Sequence, residues 1–136
     1  MAERREWMFG THRAWLEPPD ILWVKYSGPS TLEHTRTLVD IVRVLGEQQR
    51  LFLVIDVAGS SMAAENRSYF TDQARPEWFR AVIYLGAGPS QRAMAKGLIV
   101  RLLFTGRWDA QFEFADTEAE VRTLITRLRE PRPEGS

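Results

Sequence analysis

Apolar and polar positions change period several times along this chain, and the changes mark its elements. Residues 51–57 (Leu-Phe-Leu-Val-Ile-Asp-Val) are an apolar run broken only by Asp56. A run of that length between turn residues suits a strand covered on both faces, as in a parallel sheet flanked by helices. Residues 11–17 alternate around Ala14 and Leu16 and predict a short strand, and 21–27 predict a second one rich in β-formers. Glu17-Pro18-Pro19-Asp20 between them is a turn, because two prolines fix φ and remove two donors. The two strands therefore read as an antiparallel hairpin. Leu38, Ile41, Val42 and Leu45 then fall at helical spacing, ending near Gly46. Ser30-Thr31-Leu32-Glu33 ahead of them has the spacing of a capping box with Ser30 as the cap.

Residues 62–74 have helical composition, closed by Pro76. A strand over 80–85, a loop at 86–89, a helix over 90–104 and a strand over 111–114 follow. A last helix opens at 116–120 with Val121, Leu124, Ile125 and Leu128 inward. The order β-β-α-β-α-β-α-β-α predicts an α/β domain with a five-stranded, mostly parallel mixed sheet and four helices. Residues 1–10 read as a flexible arm, 11–130 as the domain and 131–136 as a disordered tail.

Composition narrows the chemistry. A chain of 136 residues fits one domain and can bury roughly two-thirds of its unfolded surface. Eighteen basic residues cancel eighteen acidic ones, which argues against nucleic acid as a partner. There is no cysteine, so disulfides, thiolate metal sites and cysteine nucleophiles are excluded. With only His12 and His34, a histidine metal site is not expected. The first residues are charged, and no apolar run approaches the ~20 residues of a membrane span. A cytoplasmic protein without cofactor is the expectation.

Asp56, at the carboxyl end of the central strand, could orient a hydroxyl or cation; its commoner use is to accept N–H bonds in the following turn. Ser60 and Ser61 then suit either a helix N-cap or a phosphorylated partner contact, with Met62 beside them. Gly86-Ala87-Gly88-Pro89-Ser90 lacks the third glycine of a dinucleotide loop and the Gly-Lys-Ser/Thr of a phosphate loop, so it reads as a plain turn. Neither histidine has a carboxylate at a spacing that suggests an acid–base pair. On the helix over 90–104, Met94, Ala95, Leu98 and Leu102 form one apolar stripe, with Val100 and Phe104 roughly opposite. A helix apolar on two sides points to an interface or to the wall of an apolar cavity. Trp78-Phe79, beyond Pro76, is a candidate for the same surface or cavity.

Three segments carry a family resemblance: 16–24 (the hairpin), 53–57 (the central strand with its Asp) and 112–121 (the last strand and helix start). In them the chain resembles the STAS domain of anti-sigma-factor antagonists, and more closely its SpoIIAA-like branch, related in shape to SEC14-type lipid carriers. In the antagonists, a serine at the helix start after the central strand is phosphorylated by a partner kinase; Ser60 and Ser61 stand nearest that place. The antagonists have an Asp immediately before the serine pair, whereas Gly59 stands there in this chain. The resemblance implies a non-catalytic protein-interaction module of a bacterial-type regulatory pathway, with a protein partner; a homodimer is a separate expectation, since two-fold dimers are the commonest assembly. The alternative it implies is a carrier or sensor of an apolar small molecule or lipid, lined by Trp78, Phe79, Val100 and Phe104.

Overall fold

The computed structural model describes residues 5–58, 60–61, 69–70, 72–104 and 111–129. In chain order its elements are β1 (Arg5–Phe9), β2 (His12–Glu17), β3 (Ile21–Lys25), β4 (Gly28–Pro29), α1 (Leu32–Gly46), β5 (Leu51–Asp56) and β6 (Ser60–Ser61). A 3-10 turn at Pro76–Trp78 leads into β7 (Phe79–Leu85), α2 (Pro89–Phe104), β8 (Gln111–Ala115) and α3 (Glu118–Arg129). The main sheet has the order β1-β2-β3-β5-β7-β8. β1, β2 and β3 are antiparallel neighbours, and β3, β5, β7 and β8 run parallel.

The sheet thus has six strands where five were expected. The extra one is β1, in the segment read as a flexible arm; its five residues pair with β2 from Arg5↔Leu16 to Phe9↔His12. Three helices are seen among the described residues where four were expected. Most of the helix expected over 62–74 lies outside those residues, although 69–70 and 72–73 are helical. The tail at 131–136 also lies outside them.

β5 shows why a continuous apolar run makes a central strand. Leu51, Leu53 and Ile55 pack on one face with Leu38, Val42 and Leu45 of α1. Phe52 and Val54 pack on the other with Val121 and Ile125 of α3. Because β3, β5, β7 and β8 follow in order across the sheet, right-handed crossovers put their connections on one face. α1 and Trp78 pack there, and so does α2, whose Arg92 and Lys96 lie over the ring of Phe114. Among the described helices, α3 alone lies on the opposite face.

The α1 cap sits one residue later than expected. Thr31 is the N-cap, its hydroxyl accepting from the His34 N–H, while the His34 ring takes the return bond that Glu33 was expected to take. At the other end of α1, a Cβ on Gly46 would lie 2.6 Å from Cβ of Trp78, so only glycine lets that indole pack under the helix end.

Arg122 ties α3 to the hairpin. Its guanidinium forks onto both carboxylate oxygens of Glu17 at 2.8 and 2.9 Å and lies over the Trp23 ring at 5.2 Å. The bond from Arg122 holds the Glu17 carboxyl below its ordinary 4.5. A depressed carboxyl pKa stabilises the fold above the unfolded value and loses that contribution as pH falls through the folded value. Both side chains are partly exposed, so Arg122→Ala should cost about 1 kcal/mol or less at neutral pH. In denaturant titrations that difference should shrink once the pH is well below 4.5; a deficit independent of pH would show that the indole contact, not the ion pair, carries it.

Candidate functional site

The carboxyl ends of the parallel strands gather the loops on one edge of the molecule. Asp56 closes β5, and its Oδ1 accepts the Ala58 N–H at 3.1 Å. That is the turn-forming use of aspartate. The Val57 N–H donates to the Leu85 carbonyl, and the Val57 carbonyl accepts from Gln91 Nε2 at 3.0 Å. Gln91 Oε1 in turn accepts the Gly88 N–H at 2.8 Å. Arg92 donates to the Ala87 carbonyl at 3.0 Å and to Asp116 at 2.7 Å. The turn at 86–90 is therefore braced by side chains of α2, and the Gly88 N–H is already satisfied.

Ser60 and Ser61 stand in strand geometry, and the helix start expected after them falls on residues outside the described ones. They form β6, which pairs in parallel with Gly28–Pro29 of β4 and so zips the loop after β5 to the loop after β3. Met62 lies outside the described residues.

Beneath that zipper lies an aromatic cluster that sequence reading did not assemble. His12 is fully buried and stands edge-on to His34, with ring centroids 4.6 Å apart at 81°. Tyr26 lies 5.0 Å from His12 by centroid, and Phe9 meets both histidines. His12 Nδ1 accepts the Ser27 N–H at 3.0 Å and His34 Nδ1 accepts the Thr31 N–H at 3.2 Å. His12 Nε2 and the Tyr26 hydroxyl are buried without a hydrogen-bond partner. Burial holds the His12 pKa below its ordinary 6.5, and His34 lowers it further, against a smaller opposing effect of the Pro29 carbonyl. Burial raises the Tyr26 hydroxyl well above its usual range and pushes Tyr84 up to about 12. The histidines stand 22 positions apart on different elements, so no spacing rule links them.

α2 presents the second feature. Ala95 is buried against the sheet. Opposite it, Ala93, Gly97, Val100 and Phe104 are all exposed and lie within about one sixth of the helix circumference. Val100 is 50% exposed and Phe104 87%. Met94, expected in the inward stripe, is 46% exposed instead. A Cβ on Gly97 would meet nothing within 4 Å. The outward face is therefore an apolar stripe with a shallow notch.

Trp78 and Phe79 are not part of it. Both are buried in the core beside α1, at 4% and 0% exposure, and do not meet Val100 or Phe104. The four residues considered as one cavity lining thus divide between core and surface. An open depression of about 350 Å³ on α3 is lined by Arg122, Thr123, Thr126 and Arg127, none of them among the four residues considered as a cavity lining. Among the described residues no three metal-ligating side chains come together, and both imidazole Nδ1 atoms are occupied by backbone donors. Among those residues, too, no helix is long and apolar enough to cross a membrane.

No protein-family model and no curated protein matches the chain. Among solved structures it is similar to an uncharacterized protein of the DUF3478 family with a SpoIIAA-like fold from Shewanella loihica PV-4. The two superpose with a TM-score of 0.61 at 14% identity, over 92% of this chain and 97% of that one. The element order, the mixed sheet with helices on both faces, and this superposition together show that the chain has a SpoIIAA-like fold.

Proposed function

We propose that this chain is a non-catalytic protein-interaction module and that the outward face of α2 is its contact surface. The observation that carries the reading is Phe104, 87% exposed one turn beyond the half-exposed Val100, on a helix whose opposite side already packs on the sheet. Single exposed apolar residues are ordinary, whereas an apolar stripe on one helix face marks a contact. The Gly97 notch lets another backbone approach closely.

Charge selects the partner. α2 carries Arg92, Lys96 and Arg101 and no acidic residue. Lys96 flanks the stripe, so a two-fold contact centred on Gly97 would set this wholly cationic helix against its own copy, and like charges across an interface are unfavourable. The partner that fits is a different protein presenting an apolar ridge flanked by carboxylates. A regulatory setting, as for the anti-sigma-factor antagonists the chain resembles, is supported by fold analogy.

Native mass spectrometry of the protein from its own cells, with and without Phe104→Asp, tests the reading. A heterocomplex that the substitution abolishes is expected. A retained apolar small molecule would favour a carrier instead, a homodimer would contradict the partner chemistry, and a bare monomer in both samples would count against the module.

A further inference from the structure

The segment 27–31, which contains β4, is held at both ends by imidazole lone pairs: the Ser27 N–H on His12 Nδ1 and the Thr31 N–H on His34 Nδ1. An Nδ1 that accepts a hydrogen bond carries no proton, so each ring is neutral with its proton on Nε2. An added proton must go to Nδ1, which turns the acceptor into a donor facing an N–H. The bond to the segment is then lost.

We propose that the His12–His34 pair is a proton-operated latch on the carboxyl-edge loop. Protonation of either ring releases one end of 27–31, frees β4 from Ser60–Ser61 and opens the edge of the sheet where the loops after β3 and β5 meet. The surroundings favour release once a proton arrives. The titratable groups facing His12 are His34 from α1 and Tyr26 just after β3; Phe9 from β1 brings no charge. A Cβ on Gly10 (φ 65°) would lie 2.4 Å from His34 Nε2, so the turn after β1 closes the remaining side with bare backbone. Among the described residues no carboxylate contacts either ring, so an imidazolium there has no counter-ion. The His12 pKa, held below its ordinary 6.5, means that the unfolded or opened chain binds that proton first. The contribution is complete above 6.5 and is lost as pH falls below it toward the folded value. That window lies above the one set by Glu17.

The test is amide hydrogen exchange by NMR, corrected for intrinsic rates, at about pH 7.5 and about pH 5.5, on either side of an unperturbed histidine. Protection of the Ser27 and Thr31 amides should fall roughly tenfold or more at the lower pH, while Leu53 and Val54 in β5 keep theirs. In His12→Asn/His34→Asn, each side-chain amide oxygen can stand in for Nδ1 without titrating, and protection should not change between the two pH values. Equal protection in the wild type at both values, or the same loss in the double variant, would overturn the latch. Should the double variant fail to fold, imidazole ¹⁵N shifts of the wild type decide. Nδ1 protonation must coincide with movement of the Ser27 or Thr31 amide resonance, and titration without that movement refutes the proposal.

Discussion

Phe104→Asp is expected to weaken partner binding roughly thirtyfold or more, the equivalent of about 2 kcal/mol for an aromatic hot spot, while leaving the fold intact. The two halves of the expectation have separate causes. Phe104 is 87% exposed, so its removal uncovers no core, and a surface change of this kind alters stability by about 0.5 kcal/mol or less. In the complex, by contrast, a carboxylate would be buried in an apolar contact beside the partner's own carboxylates, paying desolvation and repulsion together. Lys96→Glu should act in the same direction but less strongly, and mainly on the association rate, as rim charges do. Binding titrations with the purified partner, alongside chemical denaturation of each variant, separate these effects. Equal binding by Phe104→Asp would remove the α2 face from the account.

Phe79→Ala is expected to show the opposite profile, with a cost of about 3–5 kcal/mol to stability and no direct effect on the contact surface. Its ring is fully buried and packs against Trp78 and Phe70. Its carbonyl takes two bonds from the Arg50 guanidinium, at 2.6 and 3.0 Å. Since a domain of this kind is stable by only about 5–15 kcal/mol, the variant should unfold at a much lower denaturant concentration with a similar slope. A ring lining an open ligand cavity would leave no comparable packing defect. A loss below about 1 kcal/mol would therefore revive the carrier alternative.

What could be read from the sequence follows physical scale. β5, β3 and α1 were legible because their periodicity is set by burial on faces that local spacing reports: two covered faces for Leu51–Asp56, one stripe for Leu38, Val42 and Leu45. β1 was missed because its residues mix charge and bulk, with Glu6 and Met8 exposed beside Phe9 buried, and only pairing with β2 makes it a strand. The pairing of Ser60–Ser61 with Gly28–Pro29 joins segments 32 positions apart, which no local preference reports. The cap moved from Ser30 to Thr31 because the His34 imidazole can fill the place of a glutamate at the third helical position. Trp78 and Phe79 read as candidates for a surface or cavity, since a proline-led turn gives no sign that Gly46 has left room for an indole beneath α1. The outward apolar pair on α2 was visible from helical geometry alone, whereas its exposure depends on what the rest of the chain leaves uncovered. The histidine cluster depends on the β1–β2 turn and the α1 start meeting in space, which no window along the chain contains.

The most direct measurement is site-specific photo-crosslinking in the cells of origin, with a benzophenone amino acid in place of Phe104 and a control at Thr123 on α3. The account predicts a covalent adduct between position 104 and one acidic protein, absent from the Thr123 control and lost when Lys96→Glu is added. Adducts only to a second copy of the chain, or the same adducts from both positions, would contradict it.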